Sequence, residues 1–186
     1  QAQTLSDVTV FVGDQDITNV NDYVFTTPNV GTDVALLVTN NTNHDIYVKL
    51  KMNSMQNAAN QTQDFGVQFC FGTSCYFTVH PNDIVPADVN MAHIAAGASN
   101  PHGDHFQNSY PGDVVGEDVV YNMSFVEFDE NNNEIGTLKT FTYKYSPTAG
   151  LNDFTALKNA GINVKNTVVK NSMELMANVN ATLNLY

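Results

Sequence analysis

DFGVQFCFGTSCYFTV, from Asp64 to Val79, is the stretch that decides the fold. Apolar residues alternate with other residues on both sides of Gly72-Thr73-Ser74, so the segment predicts two extended strands joined by a tight turn. In extended strands one face would carry Phe65, Val67, Phe69, Phe71, Cys75, Phe77 and Val79. The sequence therefore predicts a β-hairpin that directs one face at a core.

The chain's two cysteines, Cys70 and Cys75, flank this turn. Their position favours a disulfide, which would close a loop of about six residues and stabilise the fold by about 2 kcal/mol. Two alternatives stay open. A metal site would need further ligands from distant histidines, and two reduced thiols would fit an intracellular protein.

Alternation of apolar and polar residues recurs along the first 146 residues. Turn residues separate the alternating segments, and no long amphipathic helix pattern occurs. Two half-apolar sheets can bury each other's faces, so the pattern predicts an all-β protein built as an antiparallel immunoglobulin-like β-sandwich. Besides the hairpin, the predicted strands are 5–12, 34–39, 46–52, 119–128 and 140–145, with a weak strand at 91–96.

Two local expectations follow from the same patterns. In the strand 46–52, Lys49 and Lys51 alternate with apolar residues, so we expect both lysines to lie in water. The stretch 97–116 contains several glycines and prolines, which predict one long irregular loop. A loop of that length is typical of a functional or mobile segment.

The composition changes after the predicted sandwich, which indicates three parts: a sandwich over 1–146, a linker over 147–153, and a short segment over 154–186. Asn152 or Asp153 could cap a helical turn that ends near Asn159. Three short strands are predicted beyond it, at 162–169, 173–176 and 181–186. They are too few to hold a core of their own.

The charge balance excludes several classes of partner. The chain has 7 basic residues, all lysine, and 19 acidic residues, for a formal net charge of −12. Nucleic acid is excluded as a partner, because phosphate neutralisation needs a basic face.

The sequence has no run of about 20 apolar residues that would predict a transmembrane segment. A start at Gln1-Ala2-Gln3 is typical of a processed, exported chain.

The last 30 or so residues resemble the opening of the C-terminal sorting domain of the type IX secretion system of Bacteroidetes. The resemblance rests on Leu157-Lys158-Asn159, on VKNTVVKN at 164–171 and on ATLNLY at 181–186. It implies that the type IX secretion machinery is a partner during export. Such domains usually continue past this point with a further hairpin and further strands, so the resemblance implies a truncated sorting segment.

The preceding part resembles the immunoglobulin-like domains found ahead of such sorting signals. The shared features are a turn, a cysteine hairpin, a loop and a strand, here at Asn40–Thr42, Phe69–Tyr76, Pro101–Phe106 and Val120–Phe125. This resemblance implies a protein that is secreted or attached to the outer face of the bacterial outer membrane. It implies no particular activity.

A divalent metal site is one chemical hypothesis. His102 and His105 flank Gly103-Asp104, and His93 lies upstream. His93, His102, Asp104 and His105 could bind zinc or a similar ion with an open coordination position. The competing interpretation, which we favour, is a solvated polar loop.

Calcium is a second possible ligand, and otherwise no cofactor is predicted. Asp129, Asn131 and Asn133 match the first half of a calcium-binding loop, but Glu134 stands where such loops have glycine. A hairpin turn between two strands is the simpler interpretation.

A non-catalytic role is the interpretation that these observations favour. No nucleophile motif of the G-x-S-x-G type occurs. We therefore predict an adhesion or interaction module, or an accessory subunit of a surface assembly, with other surface proteins or glycans as partners. Partly exposed tyrosines could supply a binding surface for protein or sugar: Tyr23, Tyr47, Tyr76 and Tyr110. Ordinary packing within the sandwich is the interpretation that we favour for each of them. The alternative is a metal-dependent enzyme that uses the His93, His102 and His105 region.

Overall fold

The computed structural model describes residues 7–58, 66–87, 93–149, 162–164 and 175–177. The chain divides into two compact units, Gln1–Pro147 and Thr148–Tyr186. The division falls beside the linker predicted to begin at residue 147. Among the described residues, no helix has the length and apolar character needed to cross a membrane.

The described part of the first unit is built from strands. They are β1 Val8–Val12, β2 Gln15–Asp16, β3 Tyr23–Thr27, β4 Asp33–Asn40, β5 Ile46–Gln56, β6 Val67–Phe71, β7 Ser74–Tyr76, β8 Ile84–Val85, β9 His93–Ile94, β10 His105–Asn108, β11 Val119–Phe128 and β12 Glu134–Tyr145.

These strands form two sheets. The first sheet has the order β2-β1-β4-β10-β6-β7, and the second has the order β3-β12-β11-β5-β8, with β9 also paired to β5. Among the described strands of these sheets, β3 and β12 run parallel and the other pairs run antiparallel. The predicted all-β sandwich is confirmed.

Aromatic side chains join the two sheets in the core. Phe106 of β10 lies in the first sheet, and its ring centroid is 4.9 Å from that of Tyr121 on β11 and 4.9 Å from that of Tyr143 on β12. Phe71 of β6 similarly meets Phe125 of β11 at 5.6 Å. All five side chains are almost fully buried. Burial of such large apolar surfaces is the main force that holds the sheets together.

The prediction of one irregular loop over 97–116 was wrong. This stretch contains β10, which lies in the middle of the first sheet between β4 and β6. Its sequence, HFQN, has a single apolar residue and is too short to show a period of two. β3 was missed for a related reason, because its partner β12 is far away in sequence and only tertiary pairing defines it as a strand.

Lys49 was expected in water, and it is instead 2% exposed. Its ammonium donates to the carbonyl of Ala87 at 3.3 Å and to Oδ1 of Asn132, and it lies 4.8 Å from the ring centroid of Phe128. The turn after β11 covers this side chain and supplies the acceptor that a buried ammonium requires. Lys51 is partly exposed and pairs with Glu134 at 3.3 Å.

In the second unit, the described residues form a two-stranded antiparallel sheet. Its strands are β13, Ile162–Val164, and β14, Leu175–Ala177, with Ile162 opposite Ala177. They fall in or next to two of the strands predicted for this region. The predicted helical turn at 152–159 and the strand at 181–186 lie outside the described residues.

Candidate functional site

The cysteine hairpin turns on two residues, Gly72 and Thr73, which have φ values of +58° and +68°. Positive φ at both positions is the type I′ geometry that matches the twist of paired strands. Cys70 and Cys75 lie directly opposite each other and form a disulfide, with their Cα atoms 4.1 Å apart. The hairpin is therefore closed both by its ladder and by a covalent bond.

The predicted inward face of the second hairpin strand was wrong at Cys75 and Phe77, whereas Val79 beyond β7 is buried as predicted. The prediction from sequence assumed a three-residue turn, Gly72-Thr73-Ser74. The turn in the structure has two residues, which places Tyr76 opposite Phe69. A shift of one residue moves each side chain to the other face of a strand. Tyr76 therefore packs against the core with its ring 6.3 Å from that of Phe69, and Phe77 is 47% exposed.

Removal of the disulfide is expected to lower the free energy of unfolding by about 2 kcal/mol, since the bond restricts a short loop in the unfolded chain. Urea unfolding of a Cys70→Ala/Cys75→Ala variant measures this. Reductant should destabilise the wild-type protein by a similar amount and should leave the double variant unchanged. Equal stability of the oxidised wild type and the double variant would contradict the expectation.

The carboxylate of Asp104 fixes this hairpin to the neighbouring strands. It is 5% exposed and accepts hydrogen bonds from the backbone N–H of Gly72 at 2.9 Å and from Nδ2 of Asn100 at 2.7 Å. Asn100 in turn accepts from the N–H of Val38 at 2.6 Å and donates to the carbonyl of Leu36 at 3.0 Å. One buried network thus connects the turn of the hairpin, the segment before β10, and β4.

Burial governs the electrostatics of Asp104. Loss of solvent raises the pKa of this carboxyl above its usual value, and the hydrogen bonds from Gly72, Asn100 and Thr73 partly oppose that rise. Because the Asp104 side chain accepts hydrogen bonds from the backbone of the hairpin, it stabilises the turn directly.

Two of the three histidines predicted to bind metal lie in different sheets. His105 of β10 belongs to the first sheet, and its Nε2 lies 2.9 Å from Oε1 of Gln68. His93 of β9 belongs to the second sheet, and its Nε2 lies 2.7 Å from Oδ2 of Asp45. This contact is the largest cause that lowers the pKa of Asp45. His102 is exposed on the loop before β10.

Within the described ranges, no group of three or more His, Cys, Asp or Glu side chains could hold a metal ion. The predicted site of four ligands is therefore not formed, because its members lie on two sheets and Asp104 is buried. Binding of a metal by fewer of these residues stays a prediction that metal analysis of the purified protein would test.

The predicted calcium ligands form the turn between β11 and β12. Oδ1 of Asp129 accepts from the N–H of Asn131 at 2.9 Å and of Asn133 at 2.8 Å, and Oδ2 accepts from Nδ2 of Asn133 at 2.9 Å. The contacts with Asn133 lead the causes that lower the pKa of Asp129. These contacts give the carboxylate a role in the turn itself. Calcium binding stays a prediction.

A row of uncharged polar side chains crosses the outward face of the second sheet. Asn53 on β5 donates to Oδ1 of Asn122 at 2.9 Å and to Oγ of Ser124 at 2.8 Å. Asn122 donates to the hydroxyl of Thr142 at 3.0 Å, and Ser124 bonds the hydroxyl of Thr140 at 2.7 Å. The row comprises Asn53, Asn122, Ser124, Thr140 and Thr142, and we call it the hydroxyl–amide row. In the sequence these residues were visible only as the solvent side of three strands.

A groove of about 460 Å³ lies over one end of this row. Residues before and within β3 line one part of the groove, which we call its wall, and residues of β12 with Asn122 line another part, which we call its floor. The lining side chains include Val20, Tyr23, Val24, Asn122, Thr140 and Thr142. Tyr23 was among the tyrosines predicted to form a binding surface, and partial burial raises its pKa.

A second cleft of about 330 Å³ lies on the first sheet. Its lining includes the apolar residues Phe11 and Leu37 and the polar residues Asp14 and His102. Both clefts thus lie on sheet faces of the sandwich.

The surface charge of the first unit is strongly acidic. This unit contains all but two of the 19 acidic residues and four of the seven lysines. Besides Lys49 and Lys51, described above, Lys139 donates to the carbonyl of Thr18 at 3.2 Å and Lys144 pairs with Asp118 at 2.5 Å. The pairing with Lys144 is the first cause that lowers the pKa of Asp118. Each of the four ammonium groups therefore has a partner within the chain.

Comparison with known proteins gives neighbours among solved structures. No protein-family model and no curated protein sequence matches the chain. The N-terminal domain of PorA is similar at 18% identity and a TM-score of 0.41, covering 75% of this chain and 98% of that one. A non-cellulosomal cohesin from the archaeon Archaeoglobus fulgidus is similar at 12% identity and a TM-score of 0.27, covering 79% and 96%.

Proposed function

We propose that this chain is an exported, non-catalytic interaction module, displayed on the outer face of the bacterial outer membrane or secreted. The observation that carries this proposal is that titratable groups predicted to bind a metal ion make structural contacts instead. Asp104 holds the cysteine hairpin, Asp129 closes a turn, and His93 pairs with Asp45. These groups stabilise a scaffold, and a scaffold of this kind presents its surface to a partner.

Export is supported by the disulfide and by the sequence of residues 157–186. Disulfides persist in oxidising compartments outside the cytoplasm, and Cys70 and Cys75 are joined. The similarity of residues 157–186 to a sorting segment supports transport by the type IX secretion machinery. The acidic surface supports a soluble module that repels its own copies. Its partners in this proposal are other surface proteins or glycans, either directly or as an accessory subunit of a surface assembly.

Labelling of intact cells of the source organism tests this proposal. A membrane-impermeant biotin reagent should label the protein on cells, or the protein should be found in the medium. Alkylation under denaturing conditions should modify Cys70 and Cys75 only after reduction. Cross-linking through carboxyl groups should then capture the partner. A protein that is confined to the cytoplasm with two free thiols would refute the proposal.

A further inference from the structure

We propose that the groove over β12 binds a neutral polysaccharide chain. This inference rests on the proposed function, because it names the ligand class of an interaction module. It depends on three features of the groove: the chemistry of its floor, the chemistry of its wall, and the state of its charged groups.

The floor offers hydroxyl and amide groups in a fixed arrangement. Thr140 and Thr142 alternate along β12 with the buried Phe141 and Tyr143, so both threonines face outward. The hydrogen bonds of the hydroxyl–amide row hold them in place. Hydroxyls and amides each donate and accept hydrogen bonds, and the hydroxyl groups of a sugar do the same. A rigid row of such groups matches a polyol without ordering flexible side chains on binding.

The wall offers apolar surface to the C–H faces of sugar rings. Val20 is 37% exposed and Val24 is 47% exposed, although both are aliphatic. Tyr23 lies between them in sequence and also lines the groove, but it packs partly against the core. A groove with an apolar wall, a polar floor and a volume of about 460 Å³ has the size and composition of small-ligand sites, which range from about 300 to 1,000 Å³.

The charged groups favour a neutral ligand over an anionic one. The charged residues among the described lining are Asp22 and Lys139. Lys139 is 8% exposed and its ammonium donates to the carbonyl of Thr18, so the groove presents no exposed cation. The net negative charge of the first unit also repels anionic polymers. Recognition by hydroxyls and amides should also depend little on salt, unlike the attraction of a cationic polymer.

Affinity electrophoresis of the full chain in native gels tests this proposal. The gels contain dextran, laminarin, mannan or arabinoxylan as neutral polysaccharides, and polygalacturonate as the anionic one. We expect retardation by at least one neutral polysaccharide and none by polygalacturonate. Calorimetry with the retarding polysaccharide should give the same affinity at low and at high salt.

Two groove variants and two matched controls locate the site. Val24→Asp adds a charge to the wall, and Thr140→Val removes a floor hydroxyl without changing the shape. Each should weaken binding by about tenfold, the effect of one lost hydrogen bond or one misplaced charge. Val115→Asp, at a 91% exposed site elsewhere, and Thr39→Val, which removes a hydroxyl bonded to Ser99 in the first sheet, should bind as the wild type does. Urea unfolding verifies that all four variants fold.

Several results would overturn the proposal. These are no retardation in any neutral gel, retardation by polygalacturonate alone, salt-sensitive binding, and binding that both groove variants retain. If the protein is surface-exposed and oxidised but binds none of the neutral polysaccharides, the proposed ligand of the groove is wrong and the proposal of an exported module still stands. A reduced cytoplasmic protein would overturn the export proposal whatever the gels show.

Discussion

Replacing Phe106 by alanine is expected to lower the free energy of unfolding by about 3–5 kcal/mol, as large-to-small changes of buried aromatics do. Phe106 is fully buried, and its ring touches aromatic partners in both sheets: Phe69 at 6.3 Å, and Tyr121 and Tyr143 at 4.9 Å. Alanine would leave a cavity where β10 meets the opposite sheet. Chemical denaturation with urea measures the loss.

The matched control is Phe77→Ala, at a position that is 47% exposed in the same sheet region. It removes the same ring from a place where water already reaches it, so its effect should be well below that of Phe106→Ala. Phe106→Leu should fall between the two, because most of the volume is kept. An effect of Phe106→Ala no larger than that of Phe77→Ala would mean that β10 is not part of the core.

Asp104→Ala should destabilise the protein by about 2–4 kcal/mol. The change removes the acceptor of the Gly72 N–H and of Asn100 Nδ2, and a buried donor left without an acceptor costs about 1–3 kcal/mol. Asp104→Asn should cost less, because its amide oxygen can still accept one of these bonds. Urea unfolding of both variants at neutral pH gives the comparison. Equal losses for Ala and Asn would contradict a role as hydrogen-bond acceptor.

The same residue predicts a pH dependence with a definite sign. Burial raises the pKa of Asp104, so the folded protein holds this proton more tightly than the unfolded chain does. The stabilisation from the protonated form is complete below the unfolded pKa of about 4 and is lost as the pH rises through the folded pKa. The stability of the wild type relative to Asp104→Asn should therefore fall with rising pH across this window. Glu127, whose pKa burial also raises, is present in both proteins and cancels.

Paired unfolding curves from pH 4 to pH 7 measure this difference. A stability difference between wild type and Asp104→Asn that stays constant, or that grows in favour of the wild type with rising pH, would show that burial does not raise this pKa.

Much of the fold could be predicted from the sequence, because long strands repeat their pattern. β11 and β12 have ten and twelve residues, and in each the alternation of apolar and polar residues repeats several times. β10 has four residues with one apolar side chain, and its place in the sheet depends on β4 and β6, which are distant in sequence. Periodicity cannot reveal a strand that short. The face of β7 could not be predicted either, because it depends on whether the turn has two residues or three.

The candidate site was less accessible to sequence reasoning. Histidines and carboxylates draw attention by residue type, yet Asp104 and His93 make contacts that depend on tertiary pairing. The hydroxyl–amide row consists of Asn, Ser and Thr residues that in sequence are merely the polar half of an alternation. Only the register of β5, β11 and β12 brings them side by side.

Hydrogen exchange at the amides of His105–Asn108, read by NMR after removal of metals with a chelator, tests most directly whether this segment is a central strand of the scaffold. We expect protection comparable with that of the hydrogen-bonded amides of β6, and no change when zinc is added. Exchange as fast as in an exposed loop, with protection appearing only on addition of zinc, would contradict it and would restore the metal site.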